Sequence, residues 1–396
     1  MQLSAEQERA LNAVRRWLEQ RSGVFRLFGY AGTGKTTIAK KLAELMNGHV
    51  TFCAFTGKAA HVMQTKGCDD ATTIHSLIYR PKPKSRKRLR ELQEELGELL
   101  ESGASDNDPR VTKLEQMILD ETSSVKKPSF ELNRDSKIQD SSLIIVDECS
   151  MVGEEMAHDL MSFDVPILVL GDPAQLPPVK SKGYFTNGKP DFMLEQIHRQ
   201  AEESPVIRLA TMARQQKPIT VGDYGDSKVI RVRDFDNSQV TEDQIIVGKN
   251  TTRRRANAKR RACLGRDSVL PVIGDRLICL RNNHELGLLN GAMWSVEDVI
   301  DDDLGGMMDV RLVSEDDDRQ LLTTIHGAPF RGEEVPYWDT EAQEFDYGYA
   351  ITGHKAQGSQ WPSVLLVDES SVFRQDKHRW LYTSITRASE RVTIVR

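Results

Sequence analysis

An α/β fold built on parallel sheets, with two inserted blocks, is what this chain of 396 residues predicts. Three observations carry that expectation. Short apolar runs ending in acid, "SLIIVDE" at 142–148 and "VPILVLGD" at 165–172, read as strands buried on both faces of a parallel sheet. Amphipathic segments alternate with such runs, which calls for right-handed crossovers. Two stretches break the alternation: 80–140 is rich in Lys, Arg and Glu, and 267–345 is a series of short apolar runs separated by acid and glycine.

Residues 4–20 read as a helix. Ser4 can cap it, Gln7 fits the third position of a capping box, and Ala10, Val14, Trp17 and Leu18 form one stripe. "FRLFGYAGTGKTTIAKKLAELM", 25–46, passes from an apolar run through a glycine-rich turn into an amphipathic helix. "VTFCAF" (50–55) is a second strand, and a helix starts at Gly57. Within 80–140, Leu89, Leu92, Leu96, Leu99 and Leu100 have helical spacing and suit a helical hairpin with the segment from Leu114 to Leu119. "KKPSFELNRDSKI" then reads as a short hairpin or extended arm. A second α/β unit begins near residue 200, with a strand in "QIIVGKN" (244–250) before a basic helix. "DRLICLRN", "MWSVEDVI", "DVRLV" and "QLLTTI" suit a small barrel or sheet, and "SVLLVDE" (363–369) and "RVTIV" (391–395) return to the α/β texture. The domain plan is 1–79 with 141–200, an insertion at 80–140, a second unit at 201–266 with 346–396, and an insertion at 267–345.

The net charge of -6 gives no sign of a nucleic-acid partner, but the charge is segregated. Seven of the eleven residues 80–90 and six of the nine residues 253–261 are basic, while acid collects at 301–303 and 315–318. Local patches set partner choice more than net charge does. Five scattered cysteines lack metal-ligand spacing, which fits a reduced intracellular protein without structural zinc. The N-terminus is charged and amphipathic rather than a secretory leader, and no apolar run approaches the ~20 residues that span a bilayer.

Gly29 to Thr36 match the full G-x-x-x-x-G-K-[ST] pattern between a strand and a helix. The glycines let backbone N–H groups face phosphate oxygens at a helix N-terminus. Lys35 should reach the β- and γ-phosphates of a nucleoside triphosphate, and Thr36 should hold Mg²⁺. Asp147 and Glu148 end an apolar strand. Asp147 would hold Mg²⁺ through water, and Glu148 would orient and deprotonate the attacking water. Gln175, in "GDPAQLPPV" after the next strand, is suited to sense a γ-phosphate while holding that water. A guanidinium can stabilise charge developing on the transferred phosphoryl group, but a lone arginine is more often a surface residue, and only the family resemblance below makes Arg199 and Arg387 the candidates.

With these pieces in order, the chain resembles superfamily 1 helicases of the 5′-to-3′ class, most of all the RecD/Dda-like group with its compact phage and bacterial versions. The resemblance covers nearly the whole chain. "GYAGTGKTT" is similar to motif I, "FCAFTGKAA" to motif Ia, "ATTIHSLI" to motif Ib, "VDECS" to motif II and "GDPAQLPPV" to motif III. "QIHRQ", "YAITGHKAQGSQW" and "LYTSITRA" resemble motifs IV, V and VI. The resemblance implies two RecA-like P-loop motor domains with ATP between them, a wedge-bearing insertion and an SH3-like β-barrel insertion. It implies that Gln7 recognises adenine and that Gly29, Gly32, Thr33, Gly34, Lys35, Thr36 and Thr37 cradle ATP, with Thr36 and Asp147 on Mg²⁺. It places Arg387 across the cleft and Arg199 near the junction. Thr56, Lys58, Thr73, His75, His354 and Lys355 would line a groove for single-stranded DNA. Two positions depart from the family: Cys149 stands where a small Ala is common, and Gln360 where an acidic residue often contacts ribose.

The resulting expectation is an ATP-dependent 5′-to-3′ DNA helicase, with single-stranded DNA and single-strand/duplex junctions as partners. Replication or recombination proteins would be further partners, and a monomer in the cytoplasm of a bacterial or phage-infected cell is expected. A single-stranded-DNA-stimulated translocase that displaces proteins with little unwinding is the alternative. A DNA-binding or clamp-loading switch is a third class, which the complete motifs V and VI disfavour.

Overall fold

A computed structural model describes residues 3–20, 23–81, 87–101, 108–126, 130–178, 183–197, 203–236, 240–283, 285–301, 305–335 and 342–396. Its first sheet has six parallel strands in the spatial order Thr72–Thr73, Val50–Ala54, Leu143–Asp147, Ile167–Gly171, Val24–Gly29 and Phe192–Leu194. Leu143, Ile144, Ile145 and Val146 are all fully buried, which is why this strand reads as a continuous apolar run rather than an alternating one. One face packs on Ala10, Leu11 and Val14 of helix Ala5–Glu19 and on Ile38, Ala39 and Leu42 of helix Lys35–Leu45. The other packs on Ile74 and Ile78 of helix Ile74–Ile78 and on Ala157 and Leu160 of helix Glu154–Met161. Burying each large aliphatic side chain contributes about 1.5–3 kcal/mol.

A second six-stranded sheet runs in the order Ala350–Thr352, Gln244–Val247, Trp361–Val367, Ala388–Val395, Ser227–Ile230 and Gly222–Tyr224. It is parallel except at its edge, where the last two strands form an antiparallel hairpin. Helices Pro205–Arg214 and Lys377–Ile385 share one core with its apolar face. The basic run 253–261 falls inside helix Asn250–Cys263, as read from the sequence, but Arg261 is only 5 % exposed and bonds to the buried Asp275. The charged face is thus partly structural.

The two insertions have different characters. Tyr79–Pro81 pairs antiparallel with Phe130–Leu132, and helices Lys87–Glu101 and Pro109–Lys126 pack on each other between these strands in sequence. Leu92, Val111 and Leu114 are buried there. The second insertion is a five-stranded antiparallel sheet in the order Gln320–His326, Met307–Ser314, Met293–Asp301, Arg276–Cys279, Phe345–Tyr347. Trp294, Val310, Leu312 and Phe345 form its core. Its last strand straddles position 345, where the sequence reading ended the insertion. Among the described residues, no helix is long and apolar enough to cross a membrane.

Candidate active site

The phosphate loop follows strand Val24–Gly29, and its backbone dictates its glycines. Gly32 and Gly34 lie at φ 80° and 79°, where a side chain is strained. A Cβ on Gly29 would stand 2.5 Å from Thr33 Oγ1 and 2.8 Å from Leu194 Cβ. Thr33 is 1 % exposed and donates to Tyr30 O at 2.8 Å, bracing the turn. Lys35 Nζ donates to Gly29 O at 2.7 Å and Tyr30 O at 3.2 Å, so its ammonium lies within the loop. Gln7 is 2 % exposed. Its Oε1 accepts from Ser4 N at 3.0 Å in the capping box, and its Nε2 donates to Thr33 O at 3.1 Å. The first helix is therefore bolted to the loop through Gln7. A cavity of ≈ 600 Å³ opens over the loop, lined by Gly32, Gly34, Lys35, Thr36, Thr37 and the lysines of the following helix. A second cavity, of ≈ 310 Å³, also touches Gly32 and is lined by Ala31, Ser204, Gln360, Thr386 and Ser389. The structure thus places Gln360 beside the phosphate loop.

Strand Leu143–Asp147 brings the acidic pair to the same edge. Thr36 Oγ1 donates to Asp147 Oδ2 at 3.2 Å, so a hydroxyl and a carboxylate converge as hard oxygen donors that suit Mg²⁺. Among the described residues no cluster of three or more His, Cys, Asp or Glu could hold a metal. A sparse protein donor set is what Mg²⁺ needs when substrate phosphates complete its shell. Glu148 has φ 51° and ψ 43°, a left-handed conformation unusual outside glycine, and its N–H donates to Asp147 Oδ1 at 2.8 Å. Desolvation raises the Glu148 carboxyl above the ordinary range, Arg387 pulls it down, and Asp147 pushes it up again.

Cys149 fits because the adjacent strand carries Gly171. A Cβ there would lie 2.6 Å from Cys149 Sγ, and the thiol is fully buried, which pushes its pKa well up. Gly171→Ala should therefore destabilise the protein by about 1–3 kcal/mol through overpacking. Thermal melting of the variant checks this, and an unchanged midpoint would mean that the sulfur moves aside freely.

Gln175 is 8 % exposed, and its Oε1 is buried without a hydrogen-bond partner among the described residues, an acceptor open to a bound group. Asp172, three residues earlier, is 1 % exposed and accepts from the Tyr382 hydroxyl, while Tyr382 accepts from Ala31 N of the phosphate loop at 2.9 Å. Leu176 N donates to Thr383 Oγ1 at 2.9 Å, and Gln357 Nε2 donates to Leu176 O at 3.1 Å. Arg387 is 6 % exposed, with Nε on Thr383 O at 3.1 Å and a terminal nitrogen on Ser359 O at 3.1 Å. Arg214 stacks its guanidinium 3.5 Å from the centroid of Tyr30. Lys35, Glu148, Gln175 and Arg387 come together at this junction of the two sheets. Arg199 lies outside the described residues. Sequence reasoning missed Asp172, Tyr382, Thr383 and Arg214; the first three sit inside stretches it had singled out, "GDPAQ" and "LYTSITRA".

The expected groove residues are more varied. Thr56 and Thr73 are helix N-caps, accepting from Ala59 N and Ser76 N at 3.1 Å, and Thr73 is only 6 % exposed. His75 packs on Tyr79 and edge-on against Phe130, whose ring is 40 % exposed. Phe130 is an aromatic the sequence reading did not single out. His354 is half-buried against Phe373, and burial lowers its pKa, favouring a neutral imidazole. Lys58 makes an ion pair with Asp316 of the second insertion, and Lys355 Nζ donates to Asn290 Oδ1 at 2.7 Å. Gly57 leaves room for Leu289, which a Cβ would meet at 2.8 Å.

A phosphate loop on one parallel sheet, faced by an arginine from a second, defines a two-lobed P-loop nucleotide-binding protein. The family model described as AAA domain matches residues 2–234, and the one described as UvrD-like helicase C-terminal domain matches 347–395. The first covers more than half of the chain, which belongs to the AAA-domain family. The chain is 25 % identical over 399 residues to an ATP-dependent RecD2 DNA helicase of Deinococcus radiodurans, spanning 92 % of this chain and 46 % of that protein. It thus spans about half the length of that relative. Among solved structures, Pif1 helicases at forked duplex DNA align over 99 % of this chain and 92 % of theirs, with TM-score 0.56 and 18 % identity. The Pif1 helicase of Candida albicans aligns over 100 % and 94 %, with TM-score 0.54 and 17 % identity. These likenesses give the α/β, two-domain RecA-like architecture.

Proposed function

We propose that the chain is an ATP-driven motor that moves 5′ to 3′ on single-stranded DNA and separates duplex strands. One observation supports this most: Tyr382, Thr383 and Arg387, carried by the second sheet's layer, reach the phosphate loop, the turn after strand Ile167–Gly171 and the field of Glu148. A nucleotide site completed by a second domain links hydrolysis to relative motion of two bodies. The relatives point the same way: RecD2 is named a DNA helicase, and a Bacteroides Pif1 is described bound to single-stranded DNA.

On this reading residues 1–79 with 141–200 and residues 201–266 with 346–396 are the motors. Residues 80–140 carry the wedge, and 267–345 form the SH3-like insertion. Gln7 reads adenine, and Gly29, Gly32, Thr33, Gly34 and Thr37 cradle the phosphates. Lys35 neutralises the β- and γ-phosphates. Thr36 and Asp147 would hold Mg²⁺, which when bound supplies charge neutralisation along the triphosphate. Glu148 removes a proton from the attacking water, Gln175 orients that water, and Arg387 with Arg199 balances charge on the moving phosphoryl group. Thr56, Lys58, Thr73 and His75 grip DNA from the first motor, His354 and Lys355 from the second. Phe130 with His75 offers an aromatic surface for base stacking. A monomer acting in the cytoplasm on single-strand/duplex junctions, alongside replication or recombination proteins, completes the reading.

ATP turnover should be low alone and rise strongly with single-stranded DNA, because closure must bring both motors onto one nucleotide. Steady-state hydrolysis with and without oligonucleotide checks this, and equal rates would sink it. Partial duplexes with a 5′ or a 3′ tail, incubated with ATP, then test the motor itself. Opening of the 5′-tailed substrate alone is expected. Stimulated hydrolysis with neither substrate opened would leave the translocase alternative.

A further inference from the structure

The Tyr382 hydroxyl is held between two groups of the first motor. It accepts from Ala31 N of the phosphate loop and donates to the Asp172 carboxylate, whose second oxygen accepts from Ala174 N at 2.9 Å. Tyr382 is 2 % exposed and Asp172 1 %, so these bonds are shielded from bulk solvent. The ring belongs to the second motor's core, stacked among residues of helix Lys377–Ile385 and its sheet. One phenol therefore joins the phosphate loop, the following acidic turn and the opposite domain.

Arg387 lies five residues further on and is rigidly part of its own segment. Its guanidinium bonds to Thr383 O, Ser359 O and Thr386 Oγ1 at 3.1–3.3 Å, all within the second motor. The guanidinium cannot swing independently; it goes where the backbone of residues 383–387 goes. The position of that backbone against the phosphate loop is set next door, by the Tyr382 hydroxyl and by Thr383 accepting from Leu176 N.

We propose that Tyr382 is a positioning residue for phosphoryl transfer: its hydroxyl, gripped by Ala31 and Asp172, sets the register of Arg387 against the phosphate loop and Glu148. This deepens the motor reading above and rests on its assignment of Arg387. A charge aimed at the transferring group acts on the transition state more than on bound ATP. Displacing it by about 1 Å can cost roughly 100-fold in rate.

Tyr382→Phe keeps the ring in its core and deletes only the hydroxyl. DNA-stimulated kcat should fall about 10- to 100-fold while KM for ATP stays within about twofold. Affinity for ADP should hold, and affinity for ADP with aluminium fluoride and Mg²⁺, a transition-state mimic, should drop in parallel with kcat. Asp172→Asn keeps an acceptor for the phenol and should lose less on both counts. Should Tyr382→Phe fail to fold, Asp172→Asn and Thr383→Val carry the same readouts, with an analogue-specific loss expected. An unchanged kcat in Tyr382→Phe overturns the proposal. So does joint loss of ADP and analogue binding in every folded variant, which marks a purely structural role. The analogue measurement needs no DNA. A wild type without DNA stimulation, beside a variant that still loses only the analogue, supports the positioning role and overturns the motor reading alone.

Discussion

Glu148→Gln should slow ATP hydrolysis by about 10²- to 10⁴-fold, the usual worth of a positioned general base, with ATP affinity near that of the wild type. The carboxyl stands where a strand ends, in a left-handed backbone conformation that costs on the order of 1–3 kcal/mol and is held by the Asp147 carboxylate accepting from its N–H. Glutamine keeps the shape and can orient water, but it cannot accept a proton. Desolvation raises the carboxyl above the ordinary glutamate range, partly offset by Arg387. The base must be ionised to act, so wild-type kcat/KM, which reports the free protein, should fall as pH drops below that elevated range. That acidic limb should be absent from the residual activity of the variant. Isothermal titration with ATP and a pH series of kcat/KM read both effects. A variant within tenfold of wild type would remove Glu148 from the base role. Lys35→Ala offers the contrast. Its ammonium lies inside the loop that would hold the phosphates, so its loss should weaken nucleotide binding as well as turnover.

Arg387→Ala should be at least as damaging, since an arginine supplied across a phosphoryl-transfer site is worth about 10³–10⁵ in kcat. Arg387→Lys separates charge from shape. Lysine keeps the positive charge but cannot reproduce a planar fork that reaches Thr383 O, Ser359 O and Thr386 Oγ1 together. Most of the loss should persist in the lysine variant, with ATP binding retained in both. The alanine variant also strands the Ser359 carbonyl at about 1–3 kcal/mol, while Thr383 O keeps the Thr386 hydroxyl, so melting curves must accompany the kinetics. A pH signature distinguishes the electrostatic role. Arg387 lowers the Glu148 pKa, so its removal should push the acidic limb of kcat/KM to higher pH. Arg387→Lys hydrolysing at the wild-type rate would show that a cation alone suffices.

The parts of this molecule legible in its sequence are those fixed by local constraints. The phosphate loop declares itself because backbone N–H groups can line a turn only where Gly32 and Gly34 take positive φ. Central strands declare themselves because a doubly covered strand must be apolar at successive positions, as Leu143 to Val146 are. The antiparallel hairpin Gly222–Tyr224 with Ser227–Ile230 was missed although Gly225, at φ 69°, marks its turn, because its flanking runs are short and charged. Contacts between distant segments were beyond reach. Nothing local tells Tyr382 that its partner is Asp172, 210 positions away, or Lys58 that its partner is Asp316, 258 positions away. The departure at Cys149 likewise became intelligible only beside Gly171 on the neighbouring strand.

The pairing of Lys58 with Asp316 changes the economy of the DNA grip proposed for that lysine. An ammonium waiting in solvent would gain a full ion pair on meeting a phosphate. Lys58 already has its anion, on the turn after strand Met307–Ser314, and Arg319 from the same turn reaches the carbonyl of Gly287 in the neighbouring loop. A phosphate arriving at Lys58 therefore trades places with a carboxylate, and the two states differ by little more than the strength of one anion against another. Such an exchange resembles a hand passing along a rail: each hold is firm while it lasts, and letting go needs no large energy because the other partner stands ready.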